Sequence, residues 1–346
     1  MEQRIHKLGI IGYGGMGSYH HMKIEKPETL RFIAACDCSE ARRAKARENG
    51  LRAYADVETF FREGDFEAVL IATPNHLHYP MAMAALEHGK HVICEKPATL
   101  TAAEFRTLME TAREKQLLLT CHQNRRMDKD FRMIQKIFQS GELGPIFRVE
   151  NRVEGSRGIA DTWRRKKEYG GGMLYDWGAH LIDQLLQLTT GTVTSVFMRQ
   201  QHLIPSDADD NFRLELEFDT GLSALVEIGT CNFIMHPLWY VLGRTGSAQI
   251  DYWDLSGKVV TLTNETIRWE DEIKPNIAGP SITMDSRATA QPVSREMALA
   301  VASEPLTSVK ITGIPCSRTS SVTSTISWAD ASLPASSSME CSRGRP

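Results

Sequence analysis

Over its first 121 residues the chain alternates short, unbroken apolar runs with longer stretches of helical spacing. Lys7–Ile11 is almost wholly apolar and stops at Gly12, and a helical stretch follows from Ser18 to about Glu25. Leu30–Cys36, Phe66–Ala72, His91–Cys94 and Gln116–Cys121 read as further buried strands, with helices over His76–His88 and Thr101–Lys115. Runs without a polar alternate face suit strands buried on both sides. Strands and helices taken in turn predict a parallel sheet covered on both faces. Past His122 the pattern changes. Residues 147–158 and 192–263 read as strands separated by turns, with FRLELEFDTGLSALVEIGT a hairpin around Asp219-Thr220-Gly221.

Candidate chemistry collects where the early strands stop. GYGGMG carries Gly12, Gly14 and Gly17 in G-x-G-x-x-G spacing, with Gly15 and Met16 between them, a strand before and a helix after. Gly12 permits the tight turn, Gly14 lets backbone approach a pyrophosphate, and Gly17 allows close helix–strand packing at a helix N-terminus that favours phosphate. Asp37 ends the second strand, twenty residues after Gly17, where an acid can accept from ribose hydroxyls. TPNHLH (Thr73–His78) and CEKPAT (Cys94–Thr99) fall at two more strand ends, the edge at which such sheets bind ligands. In GGGMLYDWGAHLID, a helix over Met173–Gln187 would place Asp176 and His180 on one face, at i and i+4. Trp163 and Arg164, in the DTWRRKK segment just before, are candidates for the rim of the same pocket.

Composition narrows the field. Forty basic and forty-three acidic residues give a net charge of −3 over 346 residues, with no basic block of the kind nucleic acid needs. Seven scattered cysteines form no CxxC and no disulfide framework, which suits a reducing compartment. With no signal-like or membrane-length apolar run, a cytoplasmic protein without membrane partner is expected. Asp176 and His180 lack an evident third ligand, and Cys36-x-Cys38 lacks any, so no metal is expected.

Taken together, GIIGYGGMG, ATPNHLH, CEKPAT and GGGMLYDWGAHLID resemble the Gfo/Idh/MocA family of nicotinamide-dependent oxidoreductases over roughly residues 5 to 300. His122–Ile146 is similar to that family's link between domains. The resemblance implies an α/β fold: a Rossmann doubly wound parallel sheet over residues 1–121, then an α+β domain over 122–300 with an open, mostly antiparallel sheet. It implies catalytic roles for Lys96, Asp176 and His180, which with Trp163 and Arg164 would meet substrate. Cofactor contacts would fall on Gly12, Gly14, Gly15, Met16, Gly17, Asp37, Thr73, Pro74, Asn75, His78, Glu95 and Lys96. The expected cofactor is NAD rather than NADP, because Asp37 would repel a 2′-phosphate, although Arg42 and Arg43 nearby soften that bias. The expected reaction is hydride transfer to or from a secondary alcohol or ketone of a sugar, cyclitol or derivative, in a homo-oligomer. Two alternatives stand beside it: NAD-assisted glycoside cleavage on the same fold, and a non-catalytic dinucleotide sensor.

The tail breaks the pattern. From about Glu304 the chain is rich in serine and threonine, with no helical period. With suitable codons, Lys310–Ser327 read two bases out of phase gives DYWDPLFQNVVRHLDD, similar to the amphipathic helix this family carries late in its chain. Residues 301–346 are therefore expected to form no packed element, being disordered or translated out of frame after a slip between about residues 300 and 310.

Overall fold

The computed structural model describes residues 4–24 and 28–262, together with the backbone of three short strands within 272–292. The described chain parts into two units. Of the described residues, those within 1–123 and 160–176 make up the first, and those within 124–159 and 177–292 make up the second.

The first unit runs β1 (His6–Ile11), α1 (Gly15–Ile24), β2 (Leu30–Cys36), α2 (Glu40–Glu48), β3 (Arg52–Tyr54), α3 (Val57–Glu63), β4 (Ala68–Ile71), α4 (His78–Glu87), β5 (His91–Cys94), α5 (Ala102–Glu114) and β6 (Leu119–Cys121). Its six strands lie in the order β3-β2-β1-β4-β5-β6, all parallel. The order reverses beside β1, which makes this a doubly wound sheet with its ligand crevice at the carboxyl ends. Alternate strand residues serve opposite faces: Leu8, Ile10, Phe32 and Leu70 join one apolar cluster, while Ile11, Ala34, Val69, Ile71 and Val92 join the other. That is why the runs read as continuous.

At the centre of the larger cluster Phe60 is fully buried, with its ring centroid 5.2 Å from Phe61 and 4.6 Å from Phe66. Phe60→Ala should lower unfolding stability by about 3–5 kcal/mol in urea titration, since the cavity cannot collapse against two fixed rings. The helix α5 starts on a capping box, in which the Thr101 side chain accepts from Glu104 N and the Glu104 side chain accepts from Thr101 N.

The second unit runs α6 (Lys129–Ser140), β7 (Ile146–Glu154), α7 (Ala179–Leu188), β8 (Val193–Gln201), β9 (Asn211–Phe218), β10 (Ser223–Gly229), β11 (Trp239–Gly243), β12 (Gly246–Ile250), β13 (Gly257–Leu262), β14 (Glu272–Asn276), β15 (Gly279–Thr283) and β16 (Ala288–Pro292). Eight strands form one sheet in the order β16-β13-β12-β11-β7-β10-β9-β8, in which β7 and β10 run parallel and every other neighbouring pair is antiparallel. The β9–β10 hairpin turns at Gly221, whose φ of +80° only glycine adopts freely. Buried Trp239 ties sheet to helix: its indole N–H donates to Asp130 at 2.9 Å, and its ring stacks on Phe131 of α6.

Among the described residues no helix is long and apolar enough to cross a membrane. The serine- and threonine-rich tail, with the expectation attached to it, lies outside the described residues.

Candidate active site

Most of the predicted cofactor residues of the first unit lie in loops that follow the carboxyl end of a strand. Gly12 follows β1, Asp37 follows β2, Thr73, Pro74 and Asn75 follow β4, and Glu95 and Lys96 follow β5. A side chain on Gly12 would press on Ala72 O at 2.6 Å, and Gly12 has φ +89°. A side chain on Gly17 would lie 2.0 Å from Gly12 O, so α1 rests directly on the turn. Gly15, by contrast, has nothing within 4 Å, and Met16 is exposed in the first turn of α1. Beside this loop Thr73 Oγ1 is buried without a hydrogen-bond partner. An open helix N-terminus, a close backbone turn and an orphaned hydroxyl suit a dinucleotide.

Asp37 is more committed than its position alone suggests. One carboxylate oxygen accepts from Tyr13 N at 2.9 Å and lies 3.5 Å from an Arg42 guanidinium nitrogen; the other accepts from Ser39 N at 2.9 Å. The same Arg42 guanidinium packs 3.5 Å from the position a side chain on Gly14 would take. Arg43 turns back to donate to Asp37 O and Cys38 O.

Asn75 and His78 act as braces. The Asn75 amide donates to Gly170 O at 2.8 Å. The His78 ring nitrogens lie 2.6 Å from Pro97 O and 3.0 Å from Thr73 O. Burial pushes the His78 pKa below its ordinary value, and a neutral imidazole donates to one carbonyl only. The ring thus bridges the loops after β4 and β5.

The EKP loop carries the main charged contact. Lys96–Pro97 is a cis peptide. The Lys96 ammonium donates to Asp176 Oδ1 at 2.5 Å and to Asp176 O at 2.9 Å, with 16% of its side chain exposed. Arg164 places its Nε 3.5 Å from the other Asp176 oxygen and lays its guanidinium over the Trp163 ring. Arg164 thereby joins the acid, while Trp163 serves as its platform.

Two of the three glycines before Asp176 are close-packing positions. A side chain on Gly170 would meet Leu100 at 2.6 Å and Asn75 at 2.9 Å; one on Gly171 would meet Arg164 O at 2.4 Å. Gly172, at φ +106°, donates to Arg164 O. The helix that follows also departs from expectation. Leu174–Gly178 forms a π-turn before regular helix begins at Ala179, which widens the turn and shifts the simple i, i+4 register. The boundary between the units falls inside this stretch. Asp176 belongs to the first unit with Lys96 and Arg164, and His180 belongs to the second, buried on α7 with the Trp177 ring edge-on at 6.2 Å.

Glu95 has neighbours that pattern reading did not supply. Its Oε1 lies 2.5 Å from His20 Nε2 and 3.0 Å from His122 Nδ1, and its Oε2 accepts from Lys96 N at 3.3 Å. Burial alone would raise its pKa, but the His122 and His20 hydrogen bonds overcome that and hold it well below the usual carboxylate range. His122 directly follows β6, so the strand-end rule could have found it. His20 lies inside α1 with no local signal.

Comparison with known proteins places these features in context. The family model for the Gfo/Idh/MocA oxidoreductases, NAD-binding Rossmann fold, matches residues 6–123, and the model for the family's C-terminal domain matches 131–249. The chain is 33% identical to the scyllo-inositol 2-dehydrogenase (NADP(+)) of Bacillus subtilis over 70% of this chain and 67% of that one. It is 32% identical to an oxidoreductase of Schizosaccharomyces pombe, described as uncharacterised, over 61% of this chain; the match spans only 60% of that relative's length. The crystal structure of an NAD-binding protein from Listeria innocua superposes with a TM-score of 0.78 at 38% identity, over 84% of each chain.

Proposed function

The chain belongs to the Gfo/Idh/MocA oxidoreductase family, and from that premise we propose that it moves a hydride between a nicotinamide cofactor and a secondary alcohol or ketone of a cyclitol, sugar or derivative. The observation that carries this reading is the Lys96 ammonium, mostly buried at the carboxyl edge of the sheet and held by Asp176 through two hydrogen bonds. Two of its three donors are committed, which leaves one for a reacting oxygen.

The cofactor, when bound, supplies the hydride donor or acceptor. Its pyrophosphate would be held by the loop of Gly12, Gly14, Gly15, Met16 and Gly17, with Thr73, Pro74, Asn75, His78 and Glu95 shaping the adjoining edge. In the oxidative direction His180 takes the hydroxyl proton as general base, and Lys96 hydrogen-bonds the same oxygen and offsets its developing charge. Asp176 orients Lys96, and Arg164 and Trp163 meet the remainder of the substrate. Exposed Val196 and Phe197 on the edge strand β8 support a homo-oligomer.

Asp37 favours NAD over NADP, since a 2′-phosphate would meet its carboxylate. Arg42 opposes that bias, and the Bacillus subtilis relative is named for NADP(+). Titration by nicotinamide fluorescence should find NADH bound more tightly than NADPH, and Arg42→Ala should widen the gap. Tighter NADPH binding would reverse the assignment. The reaction itself is tested by screening cyclitols, polyols and sugars for substrate-dependent reduction of NAD. At least one cyclitol or sugar should support turnover, and a complete lack across the panel with both cofactors would count against the proposal.

A further inference from the structure

We propose that His20, Glu95 and His122 form a binding site for one divalent transition-metal ion of the zinc class. The three residues come from three separate parts of the first unit: the middle of α1, the end of β5 and the end of β6. The fold alone brings them together, across 75 and 27 positions of sequence. Their donor atoms, two imidazole nitrogens and one carboxylate oxygen, all lie within 4.8 Å of one another. Among the described residues no other group of three or more His, Cys, Asp and Glu side chains does this.

The donor chemistry selects the ion. Two imidazoles and a carboxylate suit zinc, cobalt or iron in the divalent state, whereas magnesium and calcium prefer all-oxygen sites. Tetrahedral zinc, bound at about 2.0–2.2 Å, sets neighbouring donors roughly 3.3 Å apart. Glu95 Oε1 is already 2.5 Å and 3.0 Å from the two nitrogens, and all three donors lie within 4.8 Å, so side-chain adjustment alone brings them to that spacing. Both nitrogens face the same carboxylate oxygen, and the imidazole rings stand edge-on with centroids 4.8 Å apart. Without the ion the imidazoles hold the carboxylate by hydrogen bonds; with it, each facing nitrogen offers its lone pair and the ring carries its proton on the opposite nitrogen.

The surroundings support a formed site with an entrance. His20 and Glu95 are buried, while 29% of the His122 side chain is exposed, which gives a path inward and room for a water as fourth ligand. Outer contacts fix the carriers: Lys96 N donates to Glu95 Oε2, and His122 N donates to Cys94 O at 2.7 Å. Glu95 also borders the proposed dinucleotide edge, so the test reads metal binding directly and not turnover.

The test uses the full-length chain after chelator treatment. Titration with cobalt(II) should develop the visible bands of a tetrahedral centre at one equivalent per chain, zinc should displace it, and excess zinc should raise Tm by several degrees. His122→Asn and Glu95→Gln should each weaken binding about a hundredfold or more, with fold checked by circular dichroism. His236→Asn, which alters a different imidazole–carboxylate pair, should leave binding unchanged. Lack of a tetrahedral cobalt spectrum, or binding that survives both substitutions, would overturn the proposal. Anomalous scattering from zinc-soaked crystals needs no variant: a peak among the three donors supports the site, and no peak there refutes it.

Discussion

Replacing Lys96 by alanine should lower turnover by about 10²–10⁴-fold while NADH affinity stays near that of the unaltered chain. The ammonium sits at the carboxyl end of β5 and donates twice to Asp176. Alanine removes both the remaining donor and the positive charge that would oppose an alkoxide. It also takes an ammonium partner from the Asp176 carboxylate, whose other oxygen lies 3.5 Å from Arg164 Nε. Lys96→Arg should rescue poorly, because a planar guanidinium cannot reproduce the compact geometry of an ammonium held at two points on one residue. Steady-state turnover and fluorescence titration of NADH, measured on the same preparations, separate the chemical role from a binding role. Near-normal turnover in Lys96→Ala would remove the central residue from the mechanism.

Gly17→Ala should lower unfolding stability by about 1–3 kcal/mol or more and weaken dinucleotide binding, whereas Gly15→Ala should do neither to a comparable degree. The contrast rests on geometry. The added carbon at residue 17 lies 2.0 Å from Gly12 O, a backbone atom that no side-chain rotation can clear. To make room α1 must withdraw from β1, which takes its N-terminal N–H groups away from the phosphates they would hold. At residue 15 the same carbon meets nothing within 4 Å, and alanine favours helix over glycine. Urea titration and NADH binding on both variants check the pair. Equal losses at 15 and 17 would show that the motif tolerates no alteration for reasons other than close packing.

The parts legible in the sequence are those whose physics is local. Leu30–Cys36 and His91–Cys94 stand out because buried parallel strands show as nearly continuous apolar runs, and the glycine loop because its spacing answers to one turn. The stretch from Glu40 to Glu63 carries no such signal. The helix α2 buries only Ala46, so it has no apolar stripe, and is instead carried by strong helix formers and by Glu40 pairing with Arg43 and Arg47. The strand β3 is three residues long, too short for any period to register.

At the site the limits are longer-ranged. Nothing in GGG shows that Gly171 must clear the backbone of Arg164, and nothing in TPNHLH shows that Asn75 would grip Gly170. Residues 160–176 rejoin the first unit after the chain has left it, which a division made along the sequence does not register. The π-turn at Leu174–Gly178 likewise has no spacing signature to distinguish it from ordinary helix.

The claim that this chain performs net hydride transfer is tested most directly by following the hydrogen. A substrate found in the cyclitol and sugar panel, deuterated at its reacting carbinol carbon, would be oxidised with excess NAD and the recovered NADH examined by NMR. One deuterium should appear on the nicotinamide C4 per ketone formed, with the transfer abolished in His180→Ala. NADH that carries no deuterium at C4, with the label retained on carbon or lost to solvent, would contradict it.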